Sequence, residues 1–190
     1  MVQTGGIESQ EEFDFSTEKI NENFSNYSAY HHRSVYIRKT GKLATDIVEA
    51  EFSMIENAIY TEPDDQSSWW YHQFLLTWMS EQKDHDSSAH HGGNNKDNGI
   101  KWYISVVEKQ IEVMRNLLSV ETSSKWAMSS LCLMLDILLK LSNKDPTGFN
   151  AGSSHNFAVN DLMNERQALL SKLCLVDPYH VNRYNYMKRH

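Results

Sequence analysis

Apolar residues recur along this chain with helical spacing. Val48, Phe52, Ile55 and Ile59 fall at i, i+4, i+7 and i+11, and Val107, Ile111, Met114 and Leu118 follow the same rule. Each set lays an apolar stripe along one helix face. Polar turns expected near 25–28, 63–67 and 122–125 separate such segments, and each offers a good helix N-cap: Asn26 or Ser25, Asp65 or Ser67, Ser123 or Ser124. No stretch shows the sustained two-residue alternation of a strand. The expected fold class is all-α.

The turns also mark an internal repeat. FSNYSAYHHR (24–33) aligns without a gap on PDDQSSWWYH (63–72), placing Asn26 on Asp65, Ser28 on Ser67, Tyr30 on Trp69 and His32 on Tyr71, an offset of 39 residues. A third aromatic, Trp126, lies 57 residues beyond Trp69, an excess of 18. Between them runs EQKDHDSSAHHGGNNKDNG (81–99), 19 polar, low-complexity residues whose removal nearly restores the period. In DPYHVNRY, Pro178 precedes Tyr184 by six residues, as Pro63 precedes Trp69. Two helices per period of about 40 residues predict an alpha-alpha superhelix, a solenoid of about four hairpins forming one domain over 1–190. The segment 81–99 is then an exposed, disordered insertion.

Composition narrows the functional classes. The chain has 190 residues, 40% hydrophobic and 23% charged, with a formal charge of −7. That balance offers no broad electrostatic footprint for nucleic acid or an anionic membrane. Cys132 and Cys174 sit inside apolar helical patterns without a C-x-x-C pair, which suits small buried hydrophobes better than a disulfide or metal framework. Met1–Gln10 has no apolar signal core, and the most apolar run, 131–141 (LCLMLDILLKL), is too short to span a bilayer and contains Asp136 and Lys140. The expectation is a cytoplasmic protein without membrane insertion.

The repeat residues carry a family resemblance. FSNYSAYHHRS (24–34) resembles the fourth repeat of Rab geranylgeranyltransferase alpha subunits, and EPDDQSSWWYHQFLL (62–76) is similar to the fifth. SKWAMSSLCLML (124–135) resembles the next helix start, and VDPYHVNRY (176–184) the last. Tyr30 departs from the family pattern, which has tryptophan there. The family's earlier hairpins are missing, including the repeat whose lysine approaches the isoprenoid diphosphate, so the resemblance implies a partial alpha subunit. It further implies a role in transferring geranylgeranyl to C-terminal cysteines of Rab GTPases. The partners would be a beta subunit that holds the catalytic zinc, and a Rab escort protein presenting the Rab. No cofactor and no catalytic residue are expected on this chain. A free-standing TPR-like interaction scaffold is the alternative.

Candidate sites follow from the same residues. His31-His32, His85 with His90-His91, and His155 lack metal-ligand spacing, because adjacent helical residues point about 100° apart. Serines near histidines (Ser25, Ser28, Ser67, Ser68) read as helix caps, not as nucleophiles. Tyr30, Trp69 and Trp126 are expected to wedge neighbouring hairpins together as buried structural aromatics. Asn26, Tyr27, His31, Arg33, Trp70 and His72, around the helix starts, are expected to face a partner, with Arg33 making a charge-assisted bond across that interface.

Overall fold

The computed structural model describes residues 5–41, 45–85, 95–144, 146, 149 and 158–189, and the regular elements among them are all helical. In order they are α1 (Gly5–Glu22), α2 (Tyr27–Thr40), α3 (Thr45–Thr61), α4 (Gln66–His85), α5 (Asn95–Val120), α6 (Lys125–Lys144), α7 (Val159–Val176), a 3-10 turn at Pro178–His180, and α8 (Val181–Arg189). Helix α4 therefore continues to His85 and α5 begins at Asn95, so both flanks of the expected insertion are helical; residues 86–94 lie outside the described set. The described residues form two compact units, Met1–Trp78 and Met79–His190, with the division inside α4.

Caps placed these helix starts. Asn26 sits at the N-cap of α2, where its side chain accepts from the Ala29 N–H at 3.1 Å. Asp65 Oδ1 accepts from the Ser67 N–H at 2.8 Å, and Ser124 Oγ from the Ala127 N–H at 3.3 Å. Each satisfies a donor that the first helical turn leaves without a backbone partner. Helix α2 ends on Gly41, whose φ of 78° is a conformation that side-chain-bearing residues rarely adopt.

In the first unit, α3 turns Val48, Phe52, Ile55, Ala58 and Ile59 inward, matching the stripe read from the sequence. They are buried along with Ile20, Tyr30, Ile37, Trp69, Tyr71 and Leu75. The turn before α2 is tied to the turn before α4: Ser25 Oγ donates to Glu62 Oε2 at 3.0 Å, and Ser67 Oγ to the Ser25 carbonyl at 3.3 Å.

In the second unit, α5 packs on α6, α6 on α7, and α7 on α8. Met128, Cys132, Leu170, Leu173 and Tyr184 form one buried cluster. Burial pushes the Cys132 thiol up to about 12, as befits a packed, unreactive side chain. Arginines brace the helices. Arg115 grips Glu165 with two bonds of 3.0 and 2.6 Å, and Arg166 bonds Asp136 on α6 and the Met187 carbonyl on α8. Tyr184 donates to the buried Asp177 carboxylate at 2.7 Å; this bond and the His180 ring hold that carboxyl below its usual range.

Candidate functional site

The repeat is clearest when positions are counted from each cap. Four residues past the cap stand Tyr30, Trp69 and Met128, which are 0%, 5% and 0% exposed. Tyr30 reaches Ser68 through its hydroxyl (3.3 Å) and lies 5.2 Å from the Tyr71 ring. Burial pushes its phenol up to about 12. Trp69 is anchored by its indole N–H, which donates to the Pro63 carbonyl at 2.8 Å. Both are buried aromatics held by hydrogen bonds. Trp126 is not: it is half-buried two residues past its cap, with Lys125 Nζ 5.2 Å above its ring. Met128 takes the wedge position, because spacing between aromatics misjudged the register by two residues.

Seven residues past the cap the sequence expectation fails more instructively. Arg33 was expected at an interface and is 4% exposed. Its guanidinium makes a two-pronged pair with Glu51 of α3, Nε to Oε2 at 2.7 Å and an Nη to Oε1 at 2.6 Å. The other Nη reaches α1, donating to the Phe13 carbonyl, Ser16 Oγ and Thr17 Oγ1 at 3.1, 3.0 and 2.6 Å. The group also lies 3.7 Å over the Phe13 ring. Tyr71 closes the network by donating to Glu51 Oε2 at 2.5 Å. Burial would favour a neutral Arg33, but the Glu51 contact outweighs it and raises the pKa. The charge is consumed within the first unit. His72, the corresponding residue of the next hairpin, is 0% exposed and packs edge-on against Phe52 and Trp69, so it too is interior.

The remaining expected partner residues do share a surface. Tyr27 is 50% exposed and lies 5.1 Å from Trp70, while the exposed His31 ring stacks 6.3 Å from Trp70 and 6.2 Å from Tyr27. Half-buried Trp70 stacks in turn on Phe74, over which Arg38 sits at 5.2 Å. Asn26, half-buried, caps the helix that carries this row. The arrangement is an aromatic face at the starts of α2 and α4. It offers stacking area and hydrogen-bonding tips. Among the described residues no group of three or more His, Cys, Asp or Glu could hold a metal, and no helix is long and apolar enough to cross a membrane.

Sequence reasoning missed Glu51. The signal was available: the acid falls three residues after Val48 and one before Phe52, on the apolar stripe of α3. A carboxylate on such a face calls for a buried cation.

Comparison with known proteins agrees with the hairpin boundaries. Residues 9–40 and 48–79 each match the protein prenyltransferase alpha subunit repeat, corresponding to α1 with α2 and α3 with α4. The geranylgeranyl transferase type-2 subunit alpha of Schizosaccharomyces pombe is 26% identical over 185 residues, covering 92% of this chain and 48% of that protein. Its namesake in Saccharomyces cerevisiae is 38% identical over 78 residues, covering 35% of this chain and 24% of the yeast protein. The human one is 39% identical over 66 residues, 30% of this chain and 12% of that protein. The chain thus spans about half the length of the fission-yeast relative and less of the others. Two stretches of the chain are thus similar in succession to the prenyltransferase alpha subunit repeat, and the relatives it resembles are geranylgeranyl transferase type-2 alpha subunits.

Proposed function

We infer that this chain forms part of the alpha subunit of a type-2 geranylgeranyl transferase, where it is the helical frame against which a catalytic beta subunit sits. The observation that carries this reading is the pair of matched repeats in one unit, each with its cap and a buried aromatic four residues later. The partly exposed row of Tyr27, His31 and Trp70 supplies the face for that subunit. Rigid, partly exposed aromatics of this kind commonly anchor protein interfaces. The reaction is transfer of geranylgeranyl from its diphosphate to C-terminal cysteines of Rab GTPases brought by an escort protein, in the cytoplasm. Zinc in the beta subunit lowers the thiol pKa of the accepting cysteine. This chain contributes shape and docking, not the nucleophile.

The test is co-expression with a type-2 beta subunit, followed by affinity capture and single-turnover prenylation of a Rab with its escort protein. The chain alone is expected to transfer nothing. Capture of the beta subunit, reduced at least tenfold by Tyr27→Ala with Trp70→Ala, supports the reading. A chain that is stable and monomeric, retains no beta subunit and binds free peptides is a TPR-like scaffold, and the reading fails.

A further inference from the structure

The row of Tyr27, His31 and Trp70 runs on to a charge within the same unit. On α2, Tyr27, His31 and Arg38 fall at i, i+4 and i+11, inside a sector of about 40° of the helix. On α4, Phe74 follows Trp70 by one turn and stacks on it at 6.1 Å, and the exposed Arg38 guanidinium lies 5.2 Å from the Phe74 ring centre. The row is narrow. Its aromatic end stands at the start of α2, and Arg38 stands about 16 Å further along that helix.

The charge of this face is opposite to that of the chain. The whole chain carries −7, yet α2 contains no Asp or Glu, and α4 contains no Asp, Glu, Lys or Arg between positions 66 and 78. Arg33 is consumed in the interior by Glu51. Arg38 is not: among the described residues no carboxylate pairs with it. The acids of the turn before α4 stand at the other end of the row, where Glu62 accepts from Ser25 Oγ at 3.0 Å and Asp65 from the Ser67 N–H at 2.8 Å. Two neutral donors are open as well. The Tyr27 hydroxyl and the Trp70 indole N–H make no hydrogen bond among the described residues.

We propose that this face receives an extended, acidic segment, with an apolar or aromatic side chain seated on Tyr27 and Trp70 and a carboxylate on Arg38. The inference rests on the reading of this row as the face for a beta subunit, and it names the chemistry of the segment that docks there. Backbone geometry selects the extended form. A helix is about 10 Å across and spends its carbonyls on its own N–H groups. An extended backbone is narrower and leaves carbonyls free for the Tyr27 and Trp70 donors. Charge selects the acid: a carboxylate offers two acceptors to the planar fork of Arg38, whereas a basic segment would be repelled by it. The span of about 16 Å along α2 equals about five residues of extended chain at about 3.3 Å each, which sets the spacing between anchor and acid.

The probe is a set of short peptides with blocked termini and one fixed tryptophan, in which Glu, Gln or Lys occupies each other position in turn. Retention on the immobilised chain is measured. Glu about five residues from the tryptophan is expected to be retained at least tenfold over Gln at the same position, and Lys less than either. Salt should weaken the preference, since the pair is exposed. Arg38→Gln should erase it while leaving retention of the Gln peptides, and Tyr27→Ala with Trp70→Ala should lose retention of all of them. Arg38 and Tyr27 are exposed, and circular dichroism checks that the variants keep their helices. No retention, equal retention of Glu and Gln peptides, a preference for Lys, or an acid preference that survives Arg38→Gln overturns the proposal. No beta subunit enters this assay, so the two readings fail separately. A beta subunit captured equally by the wild-type chain and Arg38→Gln, without acid preference among the peptides, sinks this inference alone. An acid preference that Arg38→Gln erases, with no beta subunit captured, sinks the earlier reading and assigns the acidic segment to another protein.

Discussion

Replacing Arg33 with leucine tests the buried network directly, because leucine keeps much of the apolar stem while deleting the charge. In the native unit the guanidinium satisfies both Glu51 oxygens, the Phe13 carbonyl and two hydroxyls, at side-chain exposures of 5% for Arg33 and 1% for Glu51. Its removal leaves a carboxylate in the interior with Tyr71 as its main remaining donor. Stranding one member of a buried pair costs about 3–5 kcal/mol, a change of about 150- to 5,000-fold in the folding equilibrium. With an m-value of about 1–2 kcal/mol/M, the urea midpoint of the first unit should fall by at least about 1.5 M, followed through the fluorescence of Trp69 and Trp70. Adding Glu51→Gln should recover at least half of the loss, because glutamine still accepts from Tyr71 but brings no charge. The reasoning is refuted if Arg33→Leu costs less than about 1 kcal/mol, or if the double variant is no more stable than the single one. A normal midpoint with impaired capture of the beta subunit would return Arg33 to an interface.

Trp69→Ala should destabilise by about 3–5 kcal/mol, read by the same titration, since the ring is 5% exposed and its N–H is bonded. In the second unit Met128→Ala should cost about 2–5 kcal/mol, and Trp126→Ala distinctly less; the reverse order would restore Trp126 as the wedge. Alkaline stability should also reflect the buried phenols. Tyr30 is raised to about 12 and Tyr71 well above its ordinary value, chiefly by burial, so their folded-state values exceed the unfolded value of about 10. Their contribution is complete below about pH 10 and is lost as pH climbs from there through the folded-state values. Denaturation midpoints should fall over that window, and Tyr30→Phe with Tyr71→Phe should flatten the fall.

Much of the hairpin pattern was legible because its cues are local. A cap bonds two or three residues ahead, so sequence narrowed each cap to a pair (Asn26 or Ser25, Asp65 or Ser67, Ser123 or Ser124), of which Asn26, Asp65 and Ser124 make the bonds; an apolar stripe on α3 or α5 needs only helical spacing. What failed depended on distance in the chain. Nothing near Arg33 says that its partner is Glu51, eighteen residues away on another helix, and an arginine is ordinarily a surface residue. Trp126 misled because aromatic identity was taken for register; the cap at Ser124 gives the register, and it selects Met128. The face of Tyr27, His31 and Trp70 was readable because all three stand within five residues of a cap.

The position seven residues past the cap bears on how a repetitive chain avoids confusing its own parts. Apolar stripes of similar width are nearly interchangeable, so a hairpin could settle against the wrong neighbour at little energetic loss. Arg33 in the first repeat, His72 in the second and Leu131 on α6 occupy that position with a cation, an imidazole and a hydrocarbon. Only α3 presents Glu51 to the first of these. A misplaced α2 would have to bury its guanidinium away from Glu51, which disfavours that arrangement even though the correct pair adds little net stability over an apolar substitute. The charge acts as an address: it names which helix comes next in a sequence of near copies.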